Sequence, residues 1–238
     1  GQSEKPVFLL IKNGKVEIRD ADKYWGLNTH KTDDLLKHDL GLSQVHFATI
    51  GPAGENLVKY ACITAGPYDV FGRMGLGAVM GSKKIKAIAL AGGIKPVVKD
   101  ANGIKHVKQW FLQNFKDEEK NALWVDTGTS GAVSIYNEIG SLPSYNFKGG
   151  TIENGENLSG FYMKEHNLMV GNKSCYACPI GCRKTAKVKG SEVFDTDYEV
   201  HSPEYETIAA LGSNCGVTDP RAVIKAASLC NEYGLDTI

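Results

Sequence analysis

The sequence predicts an α+β fold in which strands and glycine-rich loops come first and helices follow. Residues 7–20 have the pattern of a hairpin, an apolar run over 7–11, a turn and a resumed strand, whereas apolar residues recur with a helical period from about residue 101. The composition shifts near Lys95–Pro96, and we expect a domain boundary at about residue 98. A β-rich part, 1–98, and a mainly helical part, 99–238, are therefore predicted.

The first part begins with two predicted strands, 7–11 and 16–18, joined at Asn13-Gly14, which is a typical two-residue hairpin turn. A short capped helix over 32–37 should end near Gly41. Two further strands are predicted at 45–50 and 85–90, with a glycine-rich segment, 66–81, between them.

In the second part the helical period covers residues 102–115, 130–138, 203–211 and 220–232. Ser202-Pro203 and Asp219-Pro220 each place a capping side chain before a proline of the first turn. Gly234 follows the last helix, where a left-handed residue is expected.

The composition limits the classes of partner and the cellular setting that we expect. Lys plus Arg equals Asp plus Glu at 27 each, so no global field favours nucleic acid or an anionic membrane as partner. No run reaches the roughly 18–20 apolar residues of a membrane span. Six cysteines, three of them clustered, indicate a reducing, cytoplasmic setting rather than a disulfide framework. The chain starts without Met and stops in mid-pattern, so we expect a fragment.

Three cysteines, Cys175, Cys178 and Cys182, form the most informative motif. At this spacing one tight loop can turn three thiolates inward, and an iron–sulfur cubane needs four at fixed corners. Cys215 or Cys230 could supply the fourth, but a ligand outside the chain is the expectation.

Other interpretations of the cysteine run stay open. A zinc site normally has a second ligand pair, and here only His166 and His201 could each add one ligand. A thioredoxin-like redox pair does not need the third cysteine. Three inert, buried cysteines are the remaining alternative.

The glycine-rich stretch Gly72–Lys83 does not fit a nucleotide motif. A dinucleotide loop opens a helix, whereas here an apolar strand is predicted to follow, and Gly81-Ser82-Lys83 is not a phosphate-loop ending. The stretch could cradle an anion with its backbone amides, or it could be a series of tight turns.

Several blocks in order carry a family resemblance. They are residues 50–58, 75–83, Gly128-Thr129, 145–147, the cysteine run, 203–206, 210–212 and 230–238. Together they resemble the aldehyde:ferredoxin oxidoreductase family of tungstopterin oxidoreductases across essentially the whole chain.

The resemblance implies a fold and cofactors. Residues 1–98 would be the C-terminal half of a two-layer β pterin-binding domain, and 99–238 the start of a helical domain. The implied cofactors are a tungsten, or molybdenum, bis-pterin and a [4Fe–4S] cluster. Cys175, Cys178 and Cys182 would be cluster ligands, with the fourth far downstream.

The resemblance also implies cofactor contacts. Asn231, Leu235 and Asp236 match the first pterin-contacting turn, although the family usually has Asp where this chain has Asn231. Gly72 and Arg73 also match the family, and Arg73 could pair with a cofactor phosphate or form a surface salt bridge.

Two further positions bear on catalysis and on assembly. Glu206 matches the carboxylate beside the metal, while Glu204 is expected to be structural. Lys225 stands where some members have an iron-binding glutamate, so no interface iron is expected from this residue.

The implied reaction is oxidation of a small aldehyde to a carboxylic acid with ferredoxin as electron acceptor. A homodimer is expected of the full-length protein, and the chain alone should be inactive. Two alternatives stay open: a benzoyl-CoA-reductase-like catalytic subunit, and a non-enzymatic zinc- or cluster-bearing module.

Overall fold

The computed structural model describes residues 1–67, 69–94, 97–115, 119–176 and 178–238. The chain forms two compact units, one of Gly1–Lys95 with Leu229–Ile238 and one of Pro96–Ser228. The predicted α+β class is confirmed. The composition shift at Lys95–Pro96 lies outside the described residues, and the domain assignment at residue 98 stays a prediction. Among the described residues, every helix is too short or too polar to cross a membrane.

The first unit contains, in the part of the chain described, a six-stranded sheet of order β2-β1-β6-β3-β4-β5. The strands are β1 Val7–Lys12, β2 Lys15–Asp20, β3 Val45–Thr49, β4 Ile63–Thr64, β5 Val70–Phe71 and β6 Ile85–Ala91. Asn13 and Gly14 both have positive φ, which confirms the predicted hairpin turn. The second β layer that the resemblance implies stays an expectation.

A helix, α1 (Thr29–Leu40), packs Leu36 against the apolar face of this sheet. The prediction of a helix over 32–37 was too short, because the capping side chain is Asn28, which accepts from the Lys31 N–H at 2.9 Å. Gly41 ends the helix with φ 60°, as predicted.

The glycine-rich segment is not only a series of turns. It contains a helix, α3 (Leu76–Ser82), which packs against a second short helix, α2 (Pro52–Glu55). A Cβ on Gly81 would overlap the Gly54 carbonyl oxygen, and one on Gly77 would overlap the Cys62 carbonyl oxygen. Close backbone packing therefore accounts for these glycines.

A buried ion pair holds α2 to the sheet. The Lys86 side chain on β6 is 0% exposed, and its Nζ donates to Glu55 Oε1 at 2.5 Å and to the Leu27 carbonyl at 2.7 Å. The Gly26 N–H donates to the other Glu55 oxygen at 2.8 Å. Burial lowers the pKa of Lys86 and the Glu55 carboxylate raises it.

The second unit is mainly helical but contains a small sheet that the sequence pattern did not predict. Its helices are α4 Ala101–Asn114, α5 Glu119–Asp126, α6 Ala132–Glu138, α7 Gly160–Glu165, α8 Tyr205–Leu211 and α9 Pro220–Tyr233, the last continuing into the first unit from Leu229. Strands β7 Met169–Lys173, β8 Arg183–Ala186 and β9 Val200–His201 pair in that order. The core around them includes Val133, Leu158, Met163, Ile208 and Ile224.

Two predicted helix starts have different outcomes. The α9 prediction is confirmed: Pro220 is the first residue, and Asp219 Oδ1 accepts from the Arg221 N–H at 2.9 Å. The α8 prediction was wrong, because the helix begins at Tyr205 after an extended Glu204, so Pro203 is not in its first turn.

Candidate functional site

The cysteine run is the connection between two paired strands. The antiparallel pair of β7 and β8 closes at Lys173 and Arg183, so the described residues 174–176 and 178–182 belong to the connection at the end of the small sheet. The Cys178 N–H donates to the Cys175 carbonyl at 3.0 Å, and Gly181 has φ 62°. The hairpin thus brings the three predicted thiol residues onto one loop.

The thiols differ in exposure. Cys175 is exposed, whereas Cys178 and Cys182 are partly buried. Burial raises the pKa of the Cys182 thiol, and so do the charges of Glu204, Cys178 and Cys175. Three thiolates on this loop would therefore repel each other unless a cation stood among them.

The side chains on this loop are thiols, which are the ligands that iron–sulfur clusters use. Three thiols on one short loop match three corners of a cubane. Within the described residues, however, no three His, Cys, Asp or Glu side chains are already gathered closely enough to hold a metal ion. The two histidines that could complete a zinc site have contacts of their own: His166 stacks on Tyr162 at 3.8 Å between ring centroids, and His201 Nε2 lies 3.5 Å from Glu204.

Two further cysteines, Cys215 and Cys230, lie outside the three-cysteine loop. Cys215 Sγ lies 3.3 Å from the Ala210 carbonyl, just after α8. Cys230 belongs to the first unit, where burial raises the pKa of Cys62 to about 12, with smaller contributions from Asp236 and Cys230. The contacts of Cys215 and Cys230 therefore do not support either of them as the fourth cluster ligand.

The start of α8 is held from another segment. Glu204 has no side-chain cap of its own, and the Tyr205 N–H donates instead to Thr129 Oγ1 at 2.9 Å. The Thr129 hydroxyl in turn donates to the Glu204 carboxylate. Thr129 thus fixes the first turn of the helix that carries Glu206.

The two carboxylates of this turn occupy different environments. Glu204 is bound by Thr129 and faces His201, as expected of a structural residue. Glu206 is exposed and, among the described residues, forms no ion pair. Its negative charge helps to raise the pKa of the neighbouring Tyr205, after burial of that phenol. Glu206 is thus available to a ligand.

The predicted pterin-contacting turn packs within the first unit. Leu235 and Ala61 form an isolated antiparallel β-bridge. The Cys62 N–H donates to the Gly234 carbonyl at 2.8 Å, and the Asp236 N–H donates to the Tyr60 carbonyl at 3.0 Å. Gly234 has φ 75° and ends α9 as predicted.

The structure brings Gly72 and Asp236 together, since a Cβ on Gly72 would lie 3.2 Å from Asp236 Oδ1. Arg73 is exposed beside them. Asn231 contributes its main chain, with its carbonyl accepting from Thr29 Oγ1 at 3.0 Å. Asp236 and Gly72 are thus adjacent, as a shared cofactor contact requires.

Sequence reasoning missed one buried charge at the cysteine loop. Lys184 on β8 is 2% exposed, and its Nζ donates to the Gly181 carbonyl at 2.9 Å and to the Val125 carbonyl at 2.6 Å. The one signal in the sequence was its position two residues after Cys182. Lys225, by contrast, donates to the Asp195 carbonyl at 2.9 Å.

Gly128 packs against this loop, and substitution should damage it. Gly128 has φ 67°, and an added Cβ would overlap the Cys182 carbonyl oxygen. We expect Gly128→Ala to lower the free energy of unfolding by about 2 kcal/mol or more, because backbone strain and overlap add. Urea denaturation measures the loss.

Gly190→Ala is the matched control, since Gly190 has φ 80° with open space around its Cα. It should lose only the strain energy, about 1 kcal/mol. Equal losses in the two variants would contradict the packing role of Gly128.

The chain's fold is similar to a solved redox enzyme complex. That complex is the active site complex BamBC of benzoyl coenzyme A reductase with 1,5-dienoyl-CoA, at a TM-score of 0.74 and 26% identity over 100% of this chain and 37% of that one. The fold therefore defines the chain as an α+β segment of the type found in this reductase.

Residues 1–92 match the family model for the aldehyde ferredoxin oxidoreductase N-terminal domain, and residues 106–238 match the model for its domains 2 and 3. The chain belongs to the aldehyde ferredoxin oxidoreductase family, which confirms the resemblance.

Three curated relatives show the range of similarity. The tungsten-containing aldehyde ferredoxin oxidoreductases of Thermococcus kodakarensis and Pyrococcus furiosus are 41% and 40% identical over 100% of this chain. The WOR-like subunit of the aliphatic sulfonate oxidoreductase of Pyrococcus furiosus is 30% identical over the same 100%. The chain spans 38% to 39% of the length of these relatives.

Proposed function

We propose that this chain is a segment of a longer enzyme, here called the parent protein, that oxidises aldehydes to carboxylic acids with ferredoxin as electron acceptor. One observation carries the proposal: a hairpin loop with three thiols lies in a chain that is 41% identical, over its whole length, to a tungsten-containing aldehyde ferredoxin oxidoreductase.

Cofactor binding is assigned residue by residue. Cys175, Cys178 and Cys182 would hold three irons of a [4Fe–4S] cluster. Gly72, Arg73, Asn231, Leu235 and Asp236 would contact a tungsten, or molybdenum, bis-pterin. Packing of Asp236 against Gly72 and of Leu235 against Ala61 supports one shared contact surface for the pterin.

The chemistry follows from the balance of the reaction. An aldehyde and water give a carboxylic acid, two protons and two electrons, and the metal pterin and cluster supply the electron transfer when bound. Glu206 would accept one of the protons, since an ionised carboxylate is a general base. Thr129 supports this role by fixing the first turn of α8, on which Glu206 lies.

A second candidate function has its own observation. The likeness to the benzoyl coenzyme A reductase complex, at 26% identity, supports a catalytic subunit that reduces an aromatic thioester. Identity to the aldehyde enzymes is higher, at 38% to 41%. Turnover of benzoyl-CoA without turnover of aldehydes would favour the reductase.

The proposal predicts the metal content of the parent protein. Purified without oxygen, it should contain about four irons and one tungsten or molybdenum per polypeptide. Elemental analysis by mass spectrometry measures both. Cys178→Ser should lower the iron content because a hydroxyl is a poor ligand for iron, and Ser174→Ala is a control on the same loop.

Zinc in place of iron would contradict the cluster and favour the structural module. A protein with neither iron nor tungsten or molybdenum would remove the proposed enzyme altogether.

A further inference from the structure

The strongest unassigned feature of the second unit is the buried ammonium group of Lys184. Lysine is almost never fully buried without a partner, because an ammonium ion loses several kcal/mol of hydration. Lys184 lies on β8 with 2% of its surface exposed. Such a residue needs a compensating negative environment.

The known contacts of Lys184 tie two segments to the cysteine loop. Its Nζ donates to the Gly181 carbonyl at 2.9 Å, the peptide that leads into Cys182, and to Val125 at 2.6 Å, a carbonyl in the last turn of α5. A Cβ on Gly128 would lie 3.5 Å from Lys184 Cγ, so the aliphatic stem lies against the Gly128 turn. The ammonium group is therefore fixed in place.

The charges near Lys184 are mostly negative. Burial lowers the pKa of Lys184, and so does Lys164, whereas Asp126, Cys182 and Glu204 raise it. Asp126 is already paired with Lys164, and Glu204 with Thr129. The carbonyl oxygens are neutral dipoles, so a negative cluster on the cysteine loop would supply the charge that these contacts of Lys184 do not.

An iron–sulfur cluster held by thiolates is anionic, and each electron that it accepts adds negative charge. Charges and hydrogen bonds around such a cluster set its reduction potential. A fixed cation at the loop would stabilise the reduced form more than the oxidised form.

We propose that Lys184 is a positioning residue for the cluster: it holds the Cys182 end of the loop and places a positive charge there that raises the reduction potential of the cluster. This inference rests on the proposed function, since it requires the cluster. It assigns a role to a residue outside the ligand set.

The test compares Lys184→Met, Lys184→Gln and Lys184→Arg in the parent protein purified without oxygen. Lys189→Met removes an equally charged but exposed lysine of the same region and is the control. Iron content is measured first, and the midpoint potential of the cluster then by a redox titration followed by electron paramagnetic resonance.

In the two neutral variants we expect the ratio of reduced to oxidised cluster at the wild-type midpoint to fall about tenfold, a shift of about 59 mV to more negative potential. Lys184→Arg and Lys189→Met should keep the wild-type potential. Neutral variants that fold but lose iron, with iron retained in Lys184→Arg, would equally support the positioning role.

Wild-type potential and iron content in both neutral variants would overturn the inference while leaving the cluster in place. Unfolding of all three Lys184 variants would overturn it too, because the lysine would then serve the core of the unit. Absence of iron from the wild-type protein would overturn the proposed function together with this inference.

Discussion

Glu206→Gln in the parent protein should lower kcat for aldehyde oxidation by about a hundredfold or more, with wild-type iron and tungsten content. A positioned general base contributes about 10²–10⁴ in rate, and an amide of the same shape cannot accept the proton. Glu206 is exposed in the first turn of α8, while its neighbour Glu204 is occupied by Thr129. Steady-state kinetics with a small aldehyde and ferredoxin measures the effect.

Glu165→Gln is the control, because Glu165 is an exposed carboxylate at the end of α7. It should leave kcat unchanged. If Glu206→Gln also turned over at the wild-type rate, with both metals bound, Glu206 would have no part in the reaction.

Glu55→Gln should destabilise the first unit by about 3 kcal/mol or more. The substitution leaves the Lys86 ammonium, which is 0% exposed, without its ion-pair partner, and breaking a buried pair costs about 3–5 kcal/mol. Hydrogen exchange of the β6 amides in increasing urea measures the free energy of opening of this unit.

The exposed ion pair of Glu17 and Arg19 is the comparison for the buried pair of Glu55 and Lys86. Glu17→Gln breaks the exposed pair with Arg19, at 2.6 Å, and should cost less than about 1 kcal/mol. The double variant Glu55→Leu with Lys86→Met should be more stable than Glu55→Leu alone, since no charge is then stranded. Equal losses at Glu55 and Glu17 would show that the buried pair contributes no more than a surface one.

Local features of the fold were predictable because their causes are local. The Asn13-Gly14 turn, the left-handed Gly41 and Gly234, and Pro220 at the start of α9 each follow from neighbouring residues alone. The α8 start was mispredicted because its cap, Thr129, lies 76 residues away from the Tyr205 N–H that it accepts from.

Elements that are stabilised by contacts between distant residues were not predicted from the hydrophobic pattern. Strands β7 to β9 are short and lie among polar and charged residues, so their alternation is weak. Helix α3 is rich in glycine, which lowers its helix propensity, and packing against α2 compensates.

The residues of the candidate site likewise divide into those that the sequence predicted and those that it did not. The three cysteines were readable because thiol ligands recur at short spacings within one loop. The carboxylate role of Glu206 needed the family resemblance, and its assignment stays a prediction. The Lys184 contact with Val125 and the Thr129 contact with Tyr205 join residues 59 and 76 positions apart, so the sequence pattern did not indicate them.

The turn after α9 is docked by its backbone. Asn231 accepts through its carbonyl, and Gly234 and Asp236 bond through peptide groups to Cys62 and Tyr60. Evolution can therefore exchange Asn and Asp at position 231 without undocking the turn, whereas Gly51 has no such freedom, because a methyl group there would overlap the Tyr233 carbonyl. Tolerance to mutation should thus be high where a residue is held through its backbone alone and minimal where two peptide groups touch.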